Sequence, residues 1–444
     1  MAVDYVYRIE QPHVSGQLAK VCTTIATGEG LIGDVVTISI GRDRSIREVN
    51  VEVRDHEQGK RLAGLLGSLE GVRVISWYDR ALARHEGGKL EIDPIPRVDT
   101  LQDLRDVYTP GVARVCTAIA EEPALANRFT MIGRTIAICT NGSRVLGLGN
   151  IGPVASMPVM EGKALLYRKL ANLSAMPILV DTEDVEGFVA TVLRIAPGFG
   201  AIHLEDIAAP GCFEIERRLI DTLDVPVMHD DVHGTAVATL GAVLVACDNA
   251  GLKLEDATVG QLGLGAAGLG IATLIKQAGA AAVIASDPSE ESHERARERG
   301  IEVADFKQVM AEARIVVATT GRPGLIGPEL ISEGQVILAL TNPDPEIAPR
   351  VALDAGAAFA ADGSMVNNVL GFPGIFRGAL AAGSAEISTG MKLAAARAIA
   401  GLTEASELVP DALDPNVHQV VAKAVTDAAV AEGLGRPERV PAGI

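Results

Sequence analysis

The chain contains 444 residues, enough for roughly three domains of about 150 residues each. Apolar residues make up 48% of it, charged residues 22% and aromatic residues 3%, a composition that excludes a disordered, collagen-like or disulfide-stabilised scaffold. The formal net charge of -18 disfavours nucleic acid and anionic membranes as partners, because both carry negative charge themselves. An anionic metabolite or cofactor would need positive charge at its own site.

The cysteines and the N-terminus favour a cytoplasmic protein. The five cysteines are widely spaced and include no C-x-x-C pair, which is typical of reduced thiols. Charges at Asp4, Arg8 and Glu10 interrupt the apolar run that a signal peptide needs. Residues 257–275 carry no charge and are long enough to span a bilayer, but five glycines and Gln261 among them favour a different structure.

Residues 1–86 predict a small βαββαβ domain. The spacing of the apolar residues gives the elements in this order: strand 6–9, helix 15–27, strands 34–40 and 48–53, helix 56–69 and strand 72–78.

Two segments of this domain, GQLAKVCTTIATGEGLIGDV and VRVISWYD, resemble the ACT regulatory domain family, with matches at Gly16, Gly30 and Gly33. The resemblance implies that two copies pair edge to edge and that a small effector binds near the glycine-bearing loop. A ferredoxin-like dimerisation module without a ligand remains the alternative. A homodimer or larger homo-oligomer is expected in either case.

The rest of the chain predicts two further α/β domains. Two glycines and two prolines indicate a linker at residues 87–99. Helices alternate with apolar strands over residues 100–229, and a regular βαβ pattern covers residues 230–367. The alanine-rich, helical residues 368–444 are expected to complete the domain of residues 100–229. The predicted fold class is α/β, with a Rossmann-type NAD domain, a second α/β catalytic domain and the N-terminal βαββαβ unit.

Two stretches match the dinucleotide pattern G-x-G-x-x-G, at residues 147–152 and 263–268. The fingerprint needs a strand before it, a helix opening at the third glycine and an acidic residue after the next strand. Only the second match has all three, with its glycines at Gly263, Gly265 and Gly268. We therefore predict that a helix N-terminus binds the pyrophosphate there, so that the uncharged stretch is a strand, loop and helix rather than a membrane span.

Asp287 occupies the position of the acidic residue in this fingerprint. A carboxylate there accepts hydrogen bonds from the ribose hydroxyls and repels a 2′-phosphate. No arginine is close enough in sequence to reverse that preference, so NAD is predicted and NADP is less favoured.

Two acidic doublets, Glu205-Asp206 and Asp230-Asp231, each follow a short apolar strand. Parallel sheets place their chemistry at such strand ends, and carboxylates are the ligands that Mg²⁺ and Mn²⁺ prefer. Neighbouring strand residues point to opposite faces, so both members of a doublet reach one ion only if the strand has already ended. The alternative for Asp230 and Asp231 is an N-cap and a first-turn acid on the following helix.

Seven motifs together resemble the malic enzyme family in its short bacterial form. In chain order they are YTPGVA, VLGLGNIGP, EGKALLYRKLA, HLEDI, HDDVHGTA, ALTNPDPEI and NNVLGFPGIFRGAL. The resemblance spans about residues 100 to 430 and implies oxidative decarboxylation of L-malate to pyruvate and CO2, with a divalent cation (Mn²⁺ or Mg²⁺) and a nicotinamide cofactor.

The resemblance also implies a role for each matching residue. They are Tyr108 as general acid, Lys163 as general base, Asp230 as the acid that supports the base, Glu205, Asp206 and Asp231 as metal ligands, Arg144, Lys163, Asn342 and Asn368 as contacts to malate or the nicotinamide, and Leu264, Ala266 and Ala267 as part of the pyrophosphate loop. A lysine can act as a base at neutral pH if burial and nearby cations lower its pKa.

Two other functions stay open at this point. A malolactic enzyme would retain the cofactor at the same site and release lactate. A regulator with a degenerate catalytic core would bind an effector without turnover. Larger members of the family carry terminal nucleotide-effector segments that this sequence lacks, so their regulation is not transferred to it.

Overall fold

The computed structural model describes residues 2–145, 147–404 and 407–441. Within it the chain divides into two units, Met1–Lys89 and Leu90–Ile444.

The first unit is a four-stranded antiparallel sheet with two helices packed on one face. Its elements are β1 (Val3–Pro12), α1 (Gln17–Thr27), β2 (Leu31–Ile40), β3 (Arg44–Val53), α2 (His56–Gly67), β4 (Arg73–Asp79) and a short helix α3 (Arg80–His85). The strand order is β2-β3-β1-β4, which is the ferredoxin-like arrangement of a βαββαβ unit. The first strand is longer than the four residues predicted for it, because its antiparallel pairing with β3 runs from Val3 to Pro12.

The core of this unit comes from the alternating residues of the inner strands. Tyr5, Tyr7 and Ile9 of β1 are buried against the apolar faces of α1 and α2. The edge strand β2 is exposed along its whole length, although it reads LIGDVVTISI.

The second unit begins with helices and a four-stranded parallel sheet. Its first elements are α4 (Leu101–Val107), α5 (Gly111–Glu121), α6 (Ala126–Phe129), β5 (Thr135–Thr140), α7 (Gly152–Ala171), β6 (Ser174–Leu179), α8 (Val185–Ile195), β7 (Ala201–Leu204), α9 (Gly211–Thr222), β8 (Val227–His229) and α10 (Thr235–Ala250). The strand order is β6-β5-β7-β8. The carboxyl ends of all four strands therefore meet at one edge.

A six-stranded parallel sheet follows in the same unit. It contains β9 (Thr258–Leu262), α11 (Ala266–Gln277), β10 (Ala282–Ser286), α12 (Glu290–Glu298), β11 (Glu302–Val303), α13 (Phe306–Glu312), β12 (Ile315–Ala318), β13 (Val336–Ala339), α14 (Pro349–Asp354) and β14 (Phe359–Asp362). The order β11-β10-β9-β12-β13-β14 is that of the doubly wound dinucleotide-binding fold, with the strand order reversing beside β9. The predicted α/β class with a Rossmann-type domain is confirmed.

Three C-terminal helices, α15 (Phe372–Ala382), α16 (Thr389–Gly401) and α17 (Pro415–Ala431), pack against α7 and α10. One anchor is the Arg377 guanidinium, which donates to the carbonyl of Ala171 at the end of α7 (3.0 Å). One described helical stretch, Asp230–Ala250, has the length and composition of a membrane span, but 72% of it is buried inside the protein. It is the central core helix of this unit, whereas residues 257–275 form β9, the glycine loop and α11.

Candidate active site

Two loops at the carboxyl edge of the first parallel sheet collect the acidic residues. β7 ends at Leu204, and Asp206 adopts a left-handed backbone with φ 55°, so Glu205 and Asp206 do not diverge as strand neighbours would. Oxygen atoms of Glu205, Asp206 and Asp231 lie within 4.8 Å of one another. The backbone N–H of Asp206 also donates to Asp231 Oδ2 (3.0 Å). The structure thus brings together the three carboxylates singled out as metal ligands.

Asp230 and Asp231 lie on a single π-helical turn, Asp230–Gly234, that precedes α10. Neither is the helix N-cap, because His229 occupies that position, so the N-cap part of the alternative is wrong. Both are acidic residues of the first turn, as the other part of that alternative expected. Gly234 makes the turn possible, since a Cβ there would lie 1.7 Å from Asp230 Oδ1.

Glu216 of α9 stabilises this turn. One oxygen of this buried carboxylate accepts the backbone N–H of His229 (2.7 Å), and the other contacts His233 Nε2 (3.1 Å). Burial alone would raise the pKa of Glu216, but His233, Lys392 and His229 together outweigh it and lower the pKa to about 2. Lys392 of α16 contacts the other imidazole nitrogen of His233 (3.1 Å), so α9, the turn and α16 are tied together.

Lys163 lies at the centre of the acidic cluster. It projects from the buried face of α7, and its Nζ is 2.5 Å from Asp230 Oδ2 and 3.2 Å from Glu205 Oε1. Only 8% of the lysine is exposed, and its Nζ also lies 4.5 Å from the ring centroid of Phe372. Lys163 and Asp230 therefore form a buried ion pair directly beside the carboxylate triad.

The electrostatics of the cluster are dominated by its excess of carboxyl groups. Burial would lower the pKa of Lys163, but Asp230 and Glu205 outweigh it and raise that pKa above its ordinary value. Burial raises the pKa of Glu205 and of Asp206 to about 8, and that of Asp230 to about 6. The groups of the protein thus raise the pKa of Lys163 rather than lower it.

Tyr167 and His203 extend the cluster inward, and the sequence reasoning missed both. His203 Nε2 lies 2.6 Å from Glu205 Oε2, and Tyr167 Oη lies 2.8 Å from His203 Nδ1. All three side chains are buried, and burial lowers the pKa of His203 to about 4, so the imidazole is neutral. A signal was present in the spacing, because Tyr167 follows Lys163 by one helical turn and His203 precedes Glu205 by two residues at the end of a strand.

The other predicted catalytic and substrate-binding residues are Tyr108, Arg144, Asn342 and Asn368. The Tyr108 side chain is 65% exposed, and no hydrogen bond joins its hydroxyl to the acidic cluster in the described parts of the chain. The backbone N–H of Arg144 donates to the carbonyl of Asp206 (3.1 Å), while its side chain is exposed. Asn368 lies against Gly234, and the exposed Asn342 donates to the carbonyl of Gly363 (3.2 Å).

The glycine loop between β9 and α11 shows why two of its glycines are needed for folding. Gly263 has φ 86°, and a Cβ on Gly268 would lie 2.0 Å from the carbonyl oxygen of Gly263. A Cβ on Gly265 would meet nothing within 4 Å, so this position is open at the N-terminus of α11. Asp287 Oδ2 accepts the backbone N–H of Leu264 (2.7 Å), which ties the acidic residue to the loop itself.

Glu346 is a further residue that sequence reasoning missed. It is fully buried, and its carboxylate accepts hydrogen bonds from the backbone N–H and hydroxyl groups of Thr320 and Thr341 (2.6–3.2 Å). It therefore ties together the loops that follow β12 and β13, at the edge where a dinucleotide would lie.

Comparisons with known families match both halves of the second unit. The model of the malic enzyme N-terminal domain matches residues 89–185, and that of the malic enzyme NAD-binding domain matches residues 329–433. The model of the NAD-binding domain of D-isomer specific 2-hydroxyacid dehydrogenases matches residues 240–322.

Individual relatives cover most of the chain. It is 50% identical to NAD-dependent malic enzyme 1 of Bacillus subtilis over 95% of this chain and 97% of that protein. It is 39% identical to the NAD-dependent malic enzyme of Geobacillus stearothermophilus over 96% of this chain and 94% of that protein. The crystal structure of malic enzyme from Pyrococcus horikoshii superposes with a TM-score of 0.76 at 36% identity, covering 80% of this chain and 91% of that one.

The two contrasting glycines give a direct test of the dinucleotide loop. Gly265→Ala should leave the melting temperature unchanged and weaken NADH binding at least about tenfold, because its methyl group enters only the space that a pyrophosphate needs. Gly268→Ala should lower the melting temperature, because its Cβ collides with backbone. Fluorescence titration with NADH and thermal unfolding measure the two effects. Equal NADH affinity in Gly265→Ala and the unsubstituted protein would rule out this loop as the binding site of the pyrophosphate.

Proposed function

The chain belongs to the malic enzyme family, and we propose that it catalyses the oxidative decarboxylation of L-malate to pyruvate and CO2 with NAD as hydride acceptor. The proposal rests on the buried ion pair of Lys163 and Asp230. This pair lies beside the triad of Glu205, Asp206 and Asp231. That arrangement combines a proton acceptor with oxygen ligands for a cation, at the carboxyl edge of a parallel sheet. Two relatives that match at least 95% of the chain are named NAD-dependent malic enzymes.

We propose that the triad holds Mn²⁺ or Mg²⁺. The chemistry of the donor set fits, since all three ligands are carboxylates. Asp206 Oδ2 supports the fit further, because it is buried and has no hydrogen-bond partner among the described residues. A bound divalent cation would acidify the malate hydroxyl and stabilise the negative charge left by loss of CO2.

Lys163 takes the hydroxyl proton in this proposal. Its Nζ lies 2.5 Å from Asp230 Oδ2, so the proton that arrives on the lysine can be shared with that carboxylate. The lysine must first be neutral, and added positive charge among the carboxylates lowers its raised pKa in the required direction. Tyr108 is the proposed acid that protonates the enol carbon, which requires its exposed segment to approach the cluster.

The other proposed contacts bind the two ligands. Arg144 offers a fork of N–H donors to a malate carboxylate, beside the loop that carries Asp206. Asn342 and Asn368 are proposed to contact the nicotinamide end or malate, and Leu264, Ala266 and Ala267 to line the pyrophosphate. Asp287 is proposed to disfavour the 2′-phosphate of NADP.

The function is tested by assaying malate-dependent reduction of NAD and of NADP, with and without added Mn²⁺. We expect NADH and pyruvate in equal amounts, more turnover with NAD than with NADP, and no turnover when the metal is chelated. Lys163→Ala should lower kcat by about 10²- to 10⁴-fold, the usual contribution of a general base. The matched control is Lys169→Ala, an exposed lysine on the same helix, which should keep full activity.

Two outcomes of this assay would contradict the proposal. Lactate without net NADH would identify a malolactic enzyme. Absence of turnover with every cofactor and metal, together with binding of a small effector, would identify a regulator with an inactive core.

We propose that the first unit is an ACT-like regulatory domain that binds a small effector and pairs with a second copy. Support comes from its βαββαβ order and from β2, an edge strand whose exposed apolar residues are Leu31, Ile32, Val35, Val36, Ile38 and Ile40. A strand edge of this kind is unusual unless another chain covers it. The linker at residues 87–99 and the domain limits remain predictions. We also propose a cytoplasmic location, because the five cysteines are free thiols.

Pairing through β2 predicts a change of assembly in a single variant. Ile38→Glu should give a smaller species than the unsubstituted protein in sedimentation velocity, because a buried charge at the strand edge opposes pairing. Val14→Glu, which adds the same charge at another exposed apolar residue, should leave the assembly unchanged. An Ile38→Glu protein that sediments like the parent would exclude β2 as the interface.

Deletion of residues 1–88 should preserve turnover and abolish any response to amino acids or central metabolites.

A further inference from the structure

We propose that His203 and Tyr167 are positioning residues that hold Glu205 in the orientation required to bind the cation. The inference rests on the proposed function, because it assigns these two side chains to the metal ligand of that site. They would fix one oxygen of Glu205, Oε2, while the other, Oε1, lies 3.2 Å from Lys163 Nζ.

The direction of each hydrogen bond follows from the groups involved. A cation would bind Glu205 in its ionised form, and a carboxylate can only accept. In that state the contact of 2.6 Å between Glu205 Oε2 and His203 requires a proton on Nε2. The opposite nitrogen, Nδ1, is then the acceptor of a neutral imidazole, and the Tyr167 hydroxyl at 2.8 Å donates to it. Tyr167 therefore selects the tautomer of His203 that donates to Glu205.

The surrounding aromatic rings keep the imidazole in place. The His203 ring stacks on Phe376 with 5.6 Å between centroids and meets Phe372 edge-on at 5.6 Å. Tyr167 packs edge-on against Phe372 at 4.8 Å, and all of these rings are buried. Since close packing opposes rotation, Glu205 Oε2 has a fixed donor.

Both ring nitrogens of His203 are engaged in this chain, so the imidazole itself is not a free ligand. His203, Glu205 and Asp230 also bring ligand atoms within 4.8 Å of one another, but both nitrogens of His203 are in hydrogen-bond contacts. In the carboxylate triad, by contrast, Asp206 Oδ2 has no hydrogen-bond partner among the described residues. His203 thus acts through Glu205, and loss of such a supporting hydrogen bond weakens metal binding by about 10- to 100-fold in other proteins.

The test is the dissociation constant of Mn²⁺, measured by calorimetry on the full chain without substrate. His203→Leu removes the donor and should weaken Mn²⁺ binding by about 10- to 100-fold. His203→Gln keeps an N–H donor and should recover most of the affinity. Tyr167→Phe removes only the group that selects the tautomer and should give an intermediate loss. NADH affinity should stay unchanged in all three variants.

The matched control is Tyr7→Phe, which deletes another buried phenol that makes a hydrogen bond of 2.8 Å, to the carbonyl of Gly59 in the first unit. It should lower stability without changing the dissociation constant of Mn²⁺. Parent-like Mn²⁺ affinity in both His203→Leu and Tyr167→Phe would overturn the positioning role and leave the metal site intact. Absence of Mn²⁺ binding by the unsubstituted protein would instead overturn the metal site of the proposed function.

Discussion

Four carboxyl groups packed around the ammonium group of Lys163 are the constraint on which the site depends. Glu205, Asp206 and Asp230 are almost fully buried, and transfer of several like charges out of water is unfavourable unless they are paired. The lysine pairs with Asp230 and Glu205 and leaves a negative excess. Burial therefore raises the pKa values of the carboxyl groups, and a divalent cation is the partner that would restore their charged forms.

Two features of the fold bring these groups together. Neighbouring strands end side by side, and glycines leave room for close contacts. The doublets follow β7 and β8, which are neighbours in the sheet, so residues 25 positions apart in sequence become hydrogen-bonded. Gly234 leaves room for Asp230, and Gly270 lets α11 of the dinucleotide domain pack against the backbone of Val232 in the same turn. The cofactor helix and the acidic turn thus share one interface.

The sequence predicted the parts of this site that depend on local spacing. The loop Gly263–Gly268 and Asp287 belong to one βαβ unit, and the two doublets could be recognised by their position after apolar strands. What it could not predict depends on contacts between distant segments. The left-handed Asp206, the π-helical turn, and the pairing of His203 with Tyr167 are set by tertiary packing. The rise of the pKa of Lys163 likewise depends on which carboxylates surround it, and the exposure of Tyr108 depends on what covers its segment.

If this carboxylate cluster binds a cation, the affinity for Mn²⁺ must depend on pH. Glu205 and Asp206, with pKa values raised to about 8 in the absence of a cation, hold protons at lower pH that a cation must displace. Calorimetry at pH 6.5 and 8.0, in two buffers of different ionisation enthalpy, should show tighter binding at the higher pH and proton release at the lower. Mn²⁺ binding that is independent of pH and releases no protons would show that these buried carboxyl groups do not bind the ion.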